Sequence, residues 1–149
     1  MICRPLLLSL VLALASCSDI PADPDGTLER VQRERTFRVG LVASGTDPLA
    51  ADRQRLFLQR IALASGAVPV AEAGAMEPLL LKLEEGGLDL VIGHLAPDSP
   101  WAKRVTLLPP LHEEVSEAGH DHLIAAAKNG ENAWIGLLHP AARAVRAAR

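Results

Sequence analysis

"MEPLLLKLEEGGLDLVIGHL", Met76 to Leu95, is the stretch from which the rest of the chain can be read. Met76, Leu79, Leu80 and Leu83 recur at i, i+3, i+4 and i+7, the apolar stripe of a helix that buries one face. Gly86-Gly87 ends that helix. The run from Leu88 to Leu95 then lacks alternation, and a near-continuous series of Leu, Val and Ile predicts a strand covered on both sides. A helix feeding such a strand is half of a βαβ unit, so the stretch predicts an α/β domain.

Toward the N-terminus the same alternation continues. "TLERVQRER" reads as a short polar helix with Leu28 and Val31 on one face, and "TFRVGLVA" as a β-rich run. "SGTDP" closes that run: Gly45 and Pro48 break it, and Thr46 or Asp47 caps the next helix. That helix carries Phe57, Ile61 and Ala64 in one stripe and stops at Gly66. "AVPVAEA" is a further short strand. Toward the C-terminus, "PDSPWAKR" is a turn or a single helical turn, and "VTLLPPLHEEV" a fourth extended run, with Pro109 and Pro110 at an edge or outside the ladder. "DHLIAAAK" is extended again, and so short a connection allows only antiparallel pairing with the run before it. "NGENAWIGLLHPAARAVRAAR" closes the chain as a helix, with a bend or interruption expected at Pro140.

The 149 residues suit one domain, with 49% hydrophobic residues and a formal net charge of -3. No basic excess points to nucleic acid. "MICRPLLLSLVLALASC" has one Arg near the start and an apolar run too short to span ~30 Å of hydrocarbon, so residues 1–17 read as an export signal. Its Leu-Ala-Ser-Cys ending resembles the lipobox of bacterial lipoproteins, which implies acylation of Cys17. Loss of Cys3 with the signal then leaves no thiol for a disulfide. Residues 18–26, short, Pro-rich and acidic, read as a tether to a lobe spanning 27–149. Ser18 after the Cys slightly favours the outer membrane, with the lobe facing the periplasm.

In order and content these elements resemble the first lobe of family 3 bacterial periplasmic solute-binding proteins. "TLERVQRERTFRVGL" is similar to that family's opening helix and strand, "LLLKLEEGGLDLVIG" to its helix-plus-strand block, "AKRVTLLPPL" to the segment leading into the hinge, and "NGENAWIGLL" to the lobe's closing helix. The resemblance implies a three-layer, single-lobe α/β domain of the type II periplasmic-binding fold, its mostly parallel sheet of about five strands including one antiparallel return strand. It also implies that a hairpin at 111–122 stands where the family builds a second lobe. Members clamp a solute between two lobes; one lobe with an open face implies weaker binding. The family commonly places a carboxylate-binding Arg where this chain has Trp101, so ordinary amino-acid binding is not implied.

The expected ligand residues are Ser44, Thr46, Asp47, His94, Trp101 and Arg104. The turn at 44–47 offers backbone N–H groups at a strand-to-helix junction. Trp101 reads either as an aromatic platform at the carboxyl edge of the sheet or as a half-buried packing residue. Arg104 reads as a substitute guanidinium or a helix-end cation. Ser44, Asp47 and His94 have the residue types of a triad, but there is no Gly-x-Ser-x-Gly elbow, and the chain is read as non-enzymatic. A hairpin turning at Glu117 would face His112 with His122 and Glu114 with His120. That set suits Zn²⁺ or Cu²⁺; otherwise no cofactor is expected. Arg143, Arg146 and Arg149 complement a helix macrodipole and form a ridge able to meet anionic headgroups. The partners expected are a small solute or an envelope transporter component, with the lipid anchor holding the chain on a membrane. The alternative is a module that docks a membrane partner without binding a solute.

Overall fold

A computed structural model describes residues 23–42, 47–96, 98–116 and 119–148, with the backbone alone for 113–116 and 119–121. Its elements are α1 (Thr27–Glu34), β1 (Thr36–Val42), α2 (Pro48–Ser65), β2 (Val68–Gly74), α3 (Met76–Glu84), β3 (Leu90–Leu95), a 3₁₀ turn (Pro100–Lys103), β4 (Val105–Leu107), β5 (His112–Ser116), β6 (Gly119–Lys128) and α4 (Asn132–Ala147). One six-stranded sheet runs β2-β1-β3-β6-β4, with β5 also on β6. β1 pairs in parallel with β2 and β3, and β6 runs antiparallel to β3, β4 and β5. The parallel block and the return strand beside Val105 are as the sequence predicts.

Helices cover both faces. On one side α1, α2 and α4 bury Val31, Phe57, Ile61, Trp134 and Leu138 against Phe37, Val39, Leu90, Ile92, Leu123 and Ala125. On the other, α3 and the 3₁₀ turn cover Val91, Leu95, Val105, Ile124 and Ala126 with Leu79, Leu80 and Leu83. β3 is therefore apolar on both sides, which accounts for its unbroken run of Leu, Val and Ile. Gly93 is needed there: a Cβ would lie 2.7 Å from Met76 Cε and 2.8 Å from Val42 Cβ. Asp47 caps α2 by accepting from Leu49 N at 2.9 Å and Ala50 N at 3.1 Å, and Gly66 ends it at φ 69°.

Three details differ from the sequence reading. The fourth extended run is two strands: Leu108 N bonds Ala125 O and Leu111 N bonds Leu123 O, so Pro109 and Pro110, which have no N–H to give, bulge out opposite Ile124. α4 continues through Pro140 from Asn132 to Ala147; the carbonyl freed four residues earlier belongs to Gly136, on the exposed side of the helix. The hairpin closes at Ser116↔Gly119, so His112 pairs with Leu123, Glu113 with His122 and Val115 with His120. That register is one step from the expected pairing of His112 with His122 and Glu114 with His120, and it is held by burial of Leu123 on one face and Ile124 on the other.

Three carboxylates tie elements together: Glu131 and Asp23 join the starts of α1 and α4, and Asp89 joins β1 to α1. Glu131, 1% exposed, accepts from Asp25 N at 2.9 Å and Thr27 N at 3.0 Å at the start of α1. Asp23 accepts from Leu28 N at 2.9 Å in α1, and from Ala133 N at 2.7 Å and Trp134 N at 3.1 Å in α4. Each thus satisfies backbone donors that a helix start leaves unpaired. Residues 23–26, the end of the expected tether, are in this way already bound to the lobe. Asp89, its side chain 1% exposed, receives Arg38 N at 2.7 Å and the guanidinium groups of Arg30 and Arg38. Burial alone would lower the Arg30 pKa, but the hydrogen bonds and charges of Asp89 and Glu34 outweigh it and leave it raised.

Candidate functional site at the carboxyl edge of the sheet

In open α/β sheets a ligand settles outside the carboxyl ends of the parallel strands. Here that edge is formed by the ends of β1 and β3 and the start of α2. Asp47 sits at the helix start, 30% exposed at its side chain, and its Oδ2 lies 3.6 Å from Nε2 of His112, itself 21% exposed. His94 and His112 both pair with Leu123 from opposite sides of β6, so they flank it on the α2 face. Nε2 of His94 is buried and has no hydrogen-bond partner among the described residues. The ladder continues three steps past Leu95↔His122 to Ser116↔Gly119, so the hairpin rises about 10 Å beyond β3 as a wall beside this edge. A carboxylate fixed by two amides, two imidazoles in one row and a helix amino end give the edge both donors and acceptors for a small polar molecule.

Of the six expected ligand residues, Asp47 and His94 lie at this edge, and Ser44 and Thr46 fall outside the described residues. Trp101 and Arg104 lie at the opposite end. Val105 pairs with Lys128, two ladder steps before Val91↔Ala126, which places the start of β4 level with the amino end of β3. Arg104 there donates to Glu84, the last residue of α3, and its guanidinium lies 4.4 Å from the Trp101 ring centre. The bond to Glu84 holds the Arg104 pKa above its ordinary value. Trp101 packs partly buried against the α3 core. Of the two sequence readings of Trp101, its position matches the half-buried packing residue, placed at the amino end because the crossover from β3 carries the chain back along the sheet before the 3₁₀ turn forms.

The expected metal ligands do not share a face. His112 lies on the α2 side with Leu123, whereas His122 is one position away on β6 and lies on the α3 side, its Nδ1 buried without a partner among the described residues. The side chains of Glu114 and His120 fall outside the described residues. Among the described residues no three His, Cys, Asp or Glu side chains converge to hold a metal. At the amino edge, a cavity of about 80 Å³ lined by Arg30, Arg38, Asp89, Lys128 and Glu131 is small beside the ~300–1,000 Å³ of a ligand pocket. His112 was not foreseen as a neighbour of Asp47. The signal was there in part, since residues on β5 facing α2 must approach the start of that helix, but it required the hairpin register.

This is the architecture of one lobe of a type II periplasmic binding protein. Domain 1 of the arginine-binding protein TmArgBP, in its arginine-bound form, superposes with a TM-score of 0.63 at 14% identity, covering 77% of this chain and 97% of that one. A point variant of that arginine-bound domain gives 0.66 at 14% identity, covering 81% and 99%. An ancestral cationic amino acid solute-binding protein gives 0.61 at 10% identity, covering 80% and 93%. No protein-family model matches the chain, and no curated protein matches it.

Proposed function

We propose that this protein is a lipid-anchored, non-enzymatic lipoprotein facing the periplasm, whose single lobe holds a small solute with low affinity at the carboxyl edge of its sheet. It would serve as a solute sensor or as an accessory subunit of an envelope transport system. The observation that carries the reading is that this fold, in TmArgBP, has an arginine-bound form of domain 1. In that protein one lobe of this architecture has a ligand-bound form. In this chain the solute would meet Asp47, His94 and His112 and, by the sequence reading, Ser44 and Thr46. The hairpin would stand in place of the second lobe, and Cys17 would carry the lipid. The Asp47 carboxylate favours a solute with a cationic or hydrogen-bond-donating group.

Thermal unfolding in the presence of a panel of amino acids, including arginine, and of polyamines and sugars tests the solute reading. A ligand at 100 times its dissociation constant stabilises the fold by ~2.7 kcal/mol. His112→Ala should remove the shift. No shift with any member of a broad panel would exclude solute binding at this edge. The anchor is tested separately: Cys17→Ser should leave the chain unprocessed or released from membranes, and wild-type fractionation and mobility of that variant would exclude lipidation.

One observation favours the docking alternative. All seven residues of β2 are exposed, Val68 at 59% and Val70 at 54%, and its outer edge is unpaired among the described residues. An extended segment of a membrane partner could add there as a further strand. A specific partner that no longer binds Ala71→Pro, in a protein indifferent to solutes, would establish that reading.

A further inference from the structure

The outer surface of α2 and α4 is cationic and apolar together. α2 carries Arg53, Arg55 and Arg60 against Asp52 alone, and α4 carries His139, Arg143 and Arg146 with no acidic residue. A shallow open groove between the helices is lined by Arg60, Leu63, Ala64, Leu137, Pro140 and Ala144. An adjoining hollow adds His139 and Arg143. Leu63 is 86% exposed. Arg60 has no ion-pair partner among the described residues, and Arg143 donates to the His139 imidazole at 3.0 Å rather than to a carboxylate. On the opposite side of the sheet the charges are paired, Glu72 with Lys82 and Glu84 with Arg104.

An exposed leucine bordered by guanidinium groups suits a surface that is anionic at its rim and apolar beneath, as a bilayer of acidic phospholipid is. The path of the chain points the same way. Asp23 is held on the first turn of α4, and Leu137 of the groove lies about one turn further along. Cys17 precedes Asp23 by a segment whose full extension is ~20 Å. A lipid on Cys17 keeps this end of α4 within that distance of the membrane.

We infer that the α2–α4 face lies against an anionic phospholipid surface, with Leu63 at the headgroup boundary and Arg60 and Arg143 among the phosphates. The inference rests on the anchored reading above. In this pose the strands lie along the membrane, and the carboxyl edge opens sideways into the periplasm.

The test uses the full chain extracted from membranes and reconstituted into vesicles containing phosphatidylglycerol with brominated acyl chains, which quench nearby indole emission. Leu63→Trp adds a reporter on the proposed face. Leu81→Trp, on α3 and 39% exposed in the native residue, adds one on the opposite side. The quenched fraction of the added emission should be at least about twofold greater at position 63 than at position 81, as for a side chain lying at the headgroup and acyl boundary. The difference should vanish in Arg60→Glu/Arg143→Glu and in vesicles of brominated phosphatidylcholine alone. Equal quenching at the two positions, or a difference insensitive to lipid charge, overturns the proposed face and leaves the anchor intact. A chain that does not partition into the vesicles at all overturns the anchored reading, and this inference with it.

Discussion

Replacing Glu131 with alanine removes the acceptor for two backbone N–H groups at the start of α1. Thr27 N, bonded at 3.0 Å, belongs to a buried residue and has no other acceptor in place. An orphaned buried donor costs ~1–3 kcal/mol. Asp25 N, bonded at 2.9 Å, belongs to an exposed residue and recovers much of its loss by meeting water. Removing a negative charge from a helix amino end adds ~0.3–1 kcal/mol. The sum is about 3 kcal/mol, and at ~4 °C per kcal/mol for a domain of this size the melting temperature should fall by about 12 °C. Glu131→Gln keeps one acceptor oxygen but turns an NH₂ toward a second donor, so it should fall about midway. Circular dichroism melts of wild type and both variants, with urea midpoints as a second reading, provide the measurement. A fall below about 3 °C for Glu131→Ala, or equal falls for the two variants, would refute the reasoning, because the two amides would then be solvated or otherwise bonded.

Asp89→Asn should cost about 3 kcal/mol, at the low end for breaking a buried ion pair, because Arg30 and Arg38 are 21% and 38% exposed and can regain water; an unchanged urea midpoint would count against it. Gly93→Ala should destabilise by ~1–3 kcal/mol, since the new methyl meets Met76 and Val42 below contact distance, and near-wild-type melting would mean that α3 yields. Asp47→Ala should cost ~0.5–2 kcal/mol through loss of the α2 cap, while Asp47→Asn, which keeps one acceptor oxygen, should cost less; equal losses in thermal melts would show that one oxygen does not sustain the cap. Leu80→Asp places a carboxylate in a fully buried position and should abolish cooperative unfolding; a sharp transition at the wild-type temperature would show that Leu80 is not core.

The helices and parallel strands were legible because their signals are local. The leucine stripe from Met76 to Leu83, the stops at Gly66 and Gly86 and the apolar run of β3 each say what they are within a few residues. The hairpin register was not local. Whether His112 meets His122 or Leu123 turns on a single step, and that step is set by which of Leu123 and Ile124 each side of the core accepts. The place of Trp101 was not local either: four residues before a strand start, it follows whichever end of the sheet that strand begins at. Asp23 and Glu131 went unremarked because acidic residues beside Gly, Pro and Asn usually mark turns, and only the meeting of the starts of α1 and α4 in space makes them acceptors for helix amides. Asp89, between Leu88 and Leu90, gave no sign in the sequence of its pairing with Arg30 and Arg38. At the candidate site Asp47 was readable as a helix cap, whereas its approach to His112 depended on the same hairpin register.

The reciprocal bonding of Asp23 to α4 and of Glu131 to α1 also sets how the lobe bears load. A pull on the chain at Asp23 does not peel α1 away one turn at a time, because the first described residue is already clipped to a helix more than a hundred residues later. Tension divides between the two helix starts and passes through Trp134, whose indole N–H bonds Asp89 O at 2.8 Å, into the turn that begins the central strand. The bonds there must shear together rather than open in succession, so a lobe held by its N-terminus should yield abruptly and at higher force than one held at the free edge of β2.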